Sequence, residues 1–490
     1  MKKRSLKDSD DLLNIENLKK QEKYDGKKIK MLLLCAAIVF CISIGSIIFI
    51  TLYVNSKKAN QNNKNGSSEN QSVTDTIDTV DEANITPTLT PEQVKEQERI
   101  EKEQKVKEEI NVLIEKADLL AMGYDYDAAI KEIQSFGDNY TAYTELTSAI
   151  AGYEAKKKTL DPFGAYDSAG QVSHVFFHSL IADTDKAFDG DRDSNGYNYY
   201  MTTVSEFNEM MLQMYNDGYV LVSIHDVAGK KKTEGGTTKF AQGNIMLPPD
   251  KKPFVISQDD VNYYKYMEGD GFASRIAIDE NGKPTTEMIL EDGTIKTGDF
   301  DMVPVLETFI AEHPDFSYKG ARGILALTGY EGTLGYRTND TESPTYEQDK
   351  ATVKKVAEVL KEHGWEFASH SYGHRDMLKY GLDFIKNDTD RWLKEVGSLI
   401  GETDIFIYPY GIEIETGTSS YSGDKYKYLK EKGFNYYCGV YKSPWIQIND
   451  EYVRMTRRPL DGQAMLQFPE RLTDLFNLDK VIDPSRPALK

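Results

Sequence analysis

The chain has 490 residues, which is too long for one ordinary domain, so two or three modules joined by linkers are expected. Hydrophobic residues make up 39% and aromatic residues 11% of the sequence, enough to bury a large core. The formal net charge is −20, and this acidic balance argues against nucleic acid as a partner, because phosphates require a basic surface.

An apolar run without charged residues extends from Met31 to Val54. As a helix it would measure about 36 Å, which is enough to cross the hydrocarbon core of a bilayer. A cleaved signal peptide is the alternative, but its apolar region would be shorter, and no small-x-small cleavage site follows the run. The sequence therefore predicts a transmembrane helix over residues 31–54.

The charges that flank this run predict its orientation. Residues 1–30 hold ten Lys and Arg against six Asp and Glu, whereas the far side carries only three lysines among Asn, Ser and Gln. By the positive-inside rule, residues 1–30 form a cytoplasmic tail and the rest of the chain after the helix lies outside the cell membrane. Cys438 is the only thiol in that exported part, so no intrachain disulfide is expected there.

Residues 55–89 have the composition of a flexible linker. They are rich in Asn, Ser, Thr and Asp and contain few large apolar side chains, so they cannot repay the entropy of ordering. A helix is predicted to begin directly after them. Thr90 offers a cap, Pro91 fits the first helical position, and Gln93 is placed to complete a capping box.

Residues 90–158 have a helical pattern. Apolar positions become closely spaced from Ile110, resume after a turn at Gly123, and recur over residues 140–153. Three helices of this kind resemble one tetratricopeptide-like hairpin, which cannot bury its own apolar face well. We interpret the segment as a helical spacer in front of the next domain, with a peptide-binding array as the alternative.

Short apolar runs alternate with helical stretches between residues 160 and 490. Strands are predicted at 172–177, 220–224, 254–257, 323–327, 365–369, 405–408 and 436–440, and helices at 205–217, 303–312, 346–363 and 389–400. Such alternation is typical of an α/β fold with a mostly parallel sheet or barrel. Folds of this class place their chemistry at the carboxyl ends of the strands.

Two adjacent carboxylates, Asp259 and Asp260, follow directly after one of these predicted strands. Neighbouring residues that leave a strand point in different directions, so one carboxylate can bind a cation while the other faces a reacting water molecule. Taken alone, an Asp-Asp pair is also typical of a solvated turn.

His370 and His374 follow another predicted strand and are separated by a turn that contains glycine. Two imidazoles at this spacing can converge on one metal ion, and a carboxylate would complete a three-ligand site with open positions for water and substrate. A pair of this kind is often incidental, but its strand-end position matches that of the two aspartates. A third strand ends in a Pro-Tyr-Gly turn at Tyr410, whose backbone N–H could face an oxyanion, although the turn alone is an ordinary strand exit.

Together and in this order, the three motifs resemble the polysaccharide deacetylase family, also called the NodB homology domain or carbohydrate esterase family 4. The family signature runs Thr-Phe-Asp-Asp, then His-Ser/Thr-x-x-His, then Arg-x-Pro-Tyr or Phe-x-Tyr-Pro-Tyr-Gly. The matching residues are 257–260, 370–374 and 406–411. The resemblance covers residues 171–466 and implies a distorted (β/α) barrel of the NodB type in a catalytic domain over residues 160–490.

The resemblance also implies roles for individual residues. It makes Asp259 the general base and places the Tyr410 backbone near the developing oxyanion. The implied ligands of a divalent metal are Asp260, His370 and His374. Such an ion would polarise an acetamide carbonyl and acidify a water molecule, whose proton Asp259 would take. Zinc is the default, although one carboxylate with two imidazoles also accepts cobalt, manganese or iron.

The acid that protonates the departing amine is not at its usual place in the family, a Leu-x-His near the end of the domain, because no histidine follows His374. The opening of the domain, residues 174–181, resembles the Tyr-His-x-Ile opening of a circularly permuted branch that includes poly-N-acetylglucosamine deacetylases. In that branch the first strand supplies the equivalent histidine. The resemblance therefore implies His178 as the acid, with a satisfied core histidine as the alternative.

The sequence departs from the family pattern near the base. Gln258 replaces the usual Phe, and Ile407 stands where many members have an arginine that holds the base. Arg457 or Arg458 could replace that arginine by pairing with Asp259, or both could be surface charges.

A long insertion also follows the two aspartates. It begins with Asn-Tyr-Tyr-Lys-Tyr at residues 262–266, which could stack sugars along a groove or pack around the barrel rim.

The function predicted from these observations is a membrane-anchored, extracytoplasmic, metal-dependent deacetylase of N-acetylated polysaccharide. Peptidoglycan and a polymer like poly-N-acetylglucosamine both remain candidate substrates. A catalytically inactive carbohydrate-binding module or an envelope scaffold is the alternative, but neither needs a water-activating base. A glycosidase is disfavoured because its two carboxyl groups must flank the bond at about 5 Å or more, which adjacent aspartates do not.

Overall fold

A computed structural model describes residues 90–163, 171–417 and 420–489. The predicted cytoplasmic tail, transmembrane helix and linker, residues 1–30, 31–54 and 55–89, lie outside these ranges. Among the described residues, no helix combines the length and the apolar character that a membrane span requires.

Seven parallel strands close into a barrel, and their order around the barrel is their order along the chain. They are β1 (Ser173–Phe177), β2 (Lys252–Gln258), β3 (Ile324–Leu327), β4 (Glu366–Ser369), β5 (Ile405–Ile407), β6 (Tyr436–Val440) and β7 (Val453–Pro459). The barrel closes where β7 pairs with β1. Because all seven strands run in one direction, their carboxyl ends meet at one mouth. The predicted α/β class and (β/α) barrel are confirmed.

The sequence pattern predicts six of these strands and misses β7. Val453 and Met455 alternate with Arg454 and Thr456, as a strand requires, but three arginines in seven residues obscure the apolar signal. The strand predicted at 220–224 is shorter than expected. It covers Tyr219–Leu221, pairs with β2 beside the closed barrel, and gives way to a helix that begins at Ile224.

Helices surround the barrel between its strands. The longer ones are Val204–Asn216, Met302–Glu312, Tyr346–Glu362, Leu382–Trp392 and Asp424–Glu431, and the short ones are Thr184–Ala187, Ser194–Tyr200, Ile224–Val227, Gly462–Gln467 and Leu478–Val481. The helix predicted at 389–400 begins earlier, at Leu382, and continues through a π-helical turn at Leu393–Gly397 into Ser398–Ile400. Smaller strands form antiparallel pairs at the edges of the barrel: Asp161–Pro162 with Met246–Leu247, Ala228–Lys232 with Thr238–Gln242, and Ile446–Ile448 with β7.

The insertion after Asp260 folds into its own small sheet. Its three antiparallel strands are Arg275–Ile278, Pro284–Ile289 and Ile295–Gly298. The chain then returns to the barrel through the helix Met302–Glu312.

Alternation along the strands divides the core into two layers. One set of strand residues packs against the surrounding helices: Ile256, Leu325, Phe367, Phe406 and Tyr437. The other set fills the barrel: Val255, Ala326, Ala368, Ile407, Cys438 and Met455. The same alternation continues beyond the strand ends. As a result, the side chains that come after the barrel-filling residues on each strand point toward the mouth.

The helical segment lies directly against the barrel. Its helices are Pro91–Met122, Tyr126–Gln134 and Thr144–Lys157, and the first begins with the predicted capping box at Thr90. Their apolar residues share one cluster with the barrel filling, and the Lys319 N–H donates to the Gly123 carbonyl at 2.7 Å. The division into a spacer at 90–158 and a catalytic domain at 160–490 stays a prediction.

Candidate active site

The predicted site residues all follow barrel strands at the carboxyl mouth. Asp259 and Asp260 come after β2, His370 and His374 after β4, and Tyr410 after β5. Parallel closure brings these three loops together, although more than a hundred residues separate the first from the second along the chain.

The loops at this mouth hold strained backbone. Eight non-glycine residues of the described chain have positive φ, and five of them lie here: Asp260, Tyr263, Ser371, His374 and Tyr410. Each left-handed residue costs about 1–3 kcal/mol, and such strain concentrates at functional sites. The turn after β5 also needs Gly411, where an added Cβ would lie 2.4 Å from the Cβ of Val440 and φ is +67°.

Asp260, His370 and His374 each offer one ligand atom, and these atoms lie within 4.8 Å of one another. The Asp260 Oδ1 atom is buried without a hydrogen-bond partner, and it lies 3.9 Å from His374 Nε2. The carbonyl of Ile407 lies 2.8 Å from His370 Nδ1 and can only accept, so Nδ1 carries the hydrogen. The lone pair of Nε2 is then available to the site, as in metal-bound histidines.

The electrostatics of His370 suit a metal ligand. Burial lowers the pKa of its imidazole, and the charges of Asp259 and Asp260 oppose that effect without overcoming it. The ring therefore stays neutral at neutral pH. An unpartnered carboxylate oxygen beside two imidazole nitrogens is a donor set that fits a divalent cation.

Asp388 holds the loop between the two histidines in place. Its carboxylate accepts hydrogen bonds from the backbone N–H groups of Tyr372 at 2.8 Å and Gly373 at 2.9 Å. Sequence reasoning misses this residue because the predicted helix starts at Thr389, whereas the observed one starts at Leu382 and includes it.

Arg457 is the arginine that holds the candidate base. Its guanidinium donates to both carboxylate oxygens of Asp259, at 2.6 and 3.0 Å, and both side chains are buried. Burial alone would raise the pKa of Asp259, but the charge and the hydrogen bonds of Arg457 outweigh that effect and hold the pKa well below its usual range. Arg458 is buried as well and pairs with Asp474, so the surface-charge alternative is wrong for both arginines.

Gln258 has a structural partner in place of the usual aromatic contact. Its amide donates at 2.8 Å to Asp301, a buried carboxylate that also accepts from the Tyr263 hydroxyl at 2.7 Å and the Leu180 N–H at 2.8 Å. Burial raises the pKa of Asp301, and these hydrogen bonds oppose the rise. The network fixes the end of β2, where Asp259 and Asp260 leave the strand.

His178 lies at the mouth, half-buried, just after β1. Its Nδ1 atom is 3.1 Å from the Tyr200 carbonyl, and its ring contacts Phe176 edge-on. His174 is the core histidine of this strand, fully buried with Nε2 3.0 Å from Ser257 Oγ.

No protein-family model matches the sequence, and no curated protein is significantly similar to it. Among solved structures, the chain is similar to the Streptococcus pyogenes deacetylase PplD in complex with acetate, at 12% identity, over 62% of this chain and 98% of that chain, with a TM-score of 0.32. It is also similar to a polysaccharide deacetylase from Bacillus cereus at 12% identity, over 62% and 68% of the two chains, with a TM-score of 0.34. Similarity this low carries no argument about activity, so the assignment depends on the residues of the site.

Proposed function

We propose that the chain is a metal-dependent polysaccharide deacetylase that removes N-acetyl groups from a cell-envelope or extracellular polymer. The observation that carries this proposal is the convergence of Asp259, Asp260, His370 and His374 at one mouth of the barrel. Carbohydrate binding alone does not require an ionised carboxylate next to three atoms that could ligate a metal ion. Hydrolysis of an acetamide needs both.

Asp260, His370 and His374 would hold the metal ion. When bound, a divalent ion supplies a Lewis acid for the acetamide carbonyl and lowers the pKa of water. Zinc is the first choice for this donor set, and cobalt, manganese and iron also suit it.

Asp259 is the base in this proposal, and it takes the proton of the attacking water on a carboxylate oxygen. Arg457 orients both oxygens and keeps the group ionised at neutral pH. The buried position shields the carboxylate from bulk water, so its orientation does not fluctuate as that of a surface aspartate does.

His178 supplies the proton that the departing amine nitrogen needs. A carbonyl accepts only, so the contact with Tyr200 places the hydrogen on Nδ1 and leaves Nε2 to hold and deliver a proton. The backbone N–H of Tyr410 donates to the oxygen on which negative charge develops. The strained turn at this residue, with φ at 58°, sets the direction of that N–H.

The proposed location follows from the N-terminal sequence. A helix over residues 31–54 would anchor the chain, with residues 1–30 in the cytoplasm and the barrel outside the cell membrane. Peptidoglycan and a polymer like poly-N-acetylglucosamine are both within reach of an enzyme placed there. Protease added to intact cells should cleave the barrel and spare residues 1–30, and a protected barrel would contradict this orientation.

The test of activity uses the full chain, purified in mild detergent and loaded with zinc. Acetate release from peptidoglycan and from poly-N-acetylglucosamine is measured with and without a chelator. We expect release from at least one polymer, lost with the chelator and in Asp259→Asn. Asp474→Asn changes a carboxylate paired with the neighbouring arginine and serves as the matched control. Polymer binding without acetate release under any condition would favour a binding module instead.

A further inference from the structure

Three tyrosines form an open aromatic surface at the mouth, here called the tyrosine platform. Tyr264 and Tyr266 come from the insertion after β2, and Tyr330 comes from the loop after β3. The ring planes of Tyr266 and Tyr330 are inclined by 18° and 32° to the ring of Tyr264. The centroid of each lies 5.7 Å from the centroid of Tyr264. Tyr266 is 55% exposed and Tyr330 39% exposed. Both outer rings, Tyr266 and Tyr330, are therefore open to solvent.

The loops that carry the platform are tied to each other. The Arg337 guanidinium donates to the carbonyls of Asn262 at 3.3 Å, Tyr263 at 2.8 Å and Glu331 at 2.9 Å. The Lys265 N–H also donates to the Glu331 carboxylate at 3.1 Å. These bonds join the insertion to the loop after β3, so the rings are held in a fixed arrangement before any ligand arrives.

The tyrosines of the insertion have different surroundings. Tyr263 is buried and donates to Asp301, as packing around the barrel rim predicts. Tyr264 is half-buried, and Tyr266 points to solvent. Packing therefore accounts for the first tyrosine and leaves the exposure of Tyr266 unexplained.

The platform is continuous with the metal-ligating loops. Tyr264 lies four residues after Asp260 in the loop that follows β2. On the other side, the N–H groups of Gly329 and Tyr330 donate to the Tyr372 carbonyl, at 2.9 and 3.2 Å. Tyr372 belongs to the loop between His370 and His374. A ligand on the platform would therefore extend from the reacting centre.

The chemistry of the platform fits a neutral sugar. Aromatic faces carry negative charge density and attract the C–H groups on the face of a pyranose ring. Carboxylates lie on the same loops: Asp270 accepts from the Tyr197 hydroxyl at 2.7 Å, and Glu331, which follows Tyr330, accepts from the Lys265 N–H at 3.1 Å. Such carboxylates can accept hydrogen bonds from sugar hydroxyls and repel an anionic polymer.

We propose that the tyrosine platform is a subsite for one pyranose ring of a neutral N-acetylhexosamine polymer, adjacent to the ring whose acetamide reacts. The proposal rests on the deacetylase function proposed above and adds a polymer-binding determinant to it. It makes an oligosaccharide a better ligand than a monosaccharide, because only a chain reaches both the platform and the metal-ligating residues.

The test measures binding separately from turnover. The full chain in detergent and chelator is titrated by calorimetry with N-acetylglucosamine and with its trimer and hexamer. We expect the parent to bind the hexamer more tightly than the monosaccharide. Tyr266→Ala and Tyr330→Ala should each raise the Kd for the hexamer about tenfold, which corresponds to about 1.4 kcal/mol. Tyr266→Phe and Tyr330→Phe keep the ring and should stay close to the parent.

Phe384→Ala is the matched control, because this side chain of the helix Leu382–Trp392 is 39% exposed and stacks on Tyr380. The proposal would be overturned if Tyr266→Ala and Tyr330→Ala had the same Kd for the hexamer as Phe384→Ala. So would a parent that binds no oligomer. Acetate release is then assayed on the same proteins after zinc is restored. Ring-dependent binding without any release would leave the platform standing and refute the deacetylase function.

Discussion

Replacement of Arg457 by methionine removes the cation that compensates a buried carboxylate. Arg457 is fully buried, and Asp259 is 3% exposed, so water cannot take over the role of the guanidinium. The loss of one partner from such a pair typically costs about 3–5 kcal/mol, because the other charge is left uncompensated. We expect the free energy of unfolding of Arg457→Met at pH 7 to be lower than that of the parent by about this amount.

The pH dependence of this loss follows from the pKa of Asp259. In the parent this pKa is lowered, so the ionised carboxylate stabilises the fold above the unfolded pKa of about 3.9, and the stabilisation is lost as pH falls through the folded pKa. In Arg457→Met, burial raises the pKa of Asp259 in the folded state instead. As pH rises, Asp259 ionises in the unfolded chain first, and this destabilises the fold. The stability difference between parent and variant should therefore be largest at neutral pH and shrink toward pH 4.

Urea unfolding of the metal-free chain, followed by circular dichroism at pH 7 and pH 4, measures both effects. Arg458→Met is the matched control on the same strand. Its partner Asp474 has a side chain that is 55% exposed, so the remaining charge is solvated and the loss should be smaller. Adding Asp259→Asn to Arg457→Met removes the stranded charge and should restore part of the stability.

Two results would refute this reasoning about the buried pair. One is an Arg457→Met chain that is as stable at pH 7 as Arg458→Met. The other is a double variant no more stable than Arg457→Met alone. Either result would mean that Asp259 does not depend on the guanidinium for compensation.

Three further predictions concern the proposed site. His370→Ala or His374→Ala should lose the bound divalent ion, measured by atomic absorption, and unchanged metal content would show that the ligands lie elsewhere. Asp259→Asn should keep the metal while acetate release slows by about 10²–10⁴, and metal loss there would mean that Asp259 and Asp260 exchange roles. His178→Ala should keep the metal and lose most turnover of acetamides, but much less turnover of an activated aryl acetate, whose leaving group needs no proton. Equal losses on both substrates would remove His178 from the mechanism.

The length of the chain used in these assays matters. Helices between Pro91 and Lys157 share an apolar cluster with the barrel filling, and Ile110, Ala117 and Ala129 are buried in it. A fragment that began at residue 160 would expose this surface to water. The experiments above therefore use the full chain.

Local patterns in the sequence determined much of this architecture. Six barrel strands and the capping box at Thr90 depend on residues that are close together along the chain, so periodicity and spacing reveal them. The pairs Asp259 with Asp260 and His370 with His374 are also local motifs. Their strand-end positions were enough to predict that they would meet, because parallel strands bring their carboxyl ends to one mouth.

Contacts between distant residues were decided only by the tertiary structure. The sequence left Arg457 and Arg458 as equal candidates, and barrel closure selected Arg457, which lies 198 positions from Asp259. The platform likewise unites Tyr330 with the insertion after β2. Tyr263 is buried against Asp301, whereas Tyr266 lies on the solvent-facing side of the same loop. Local spacing along the chain predicts neither position. Side chains so far apart along the chain become neighbours only when the barrel closes, so no short-range pattern encodes their pairing.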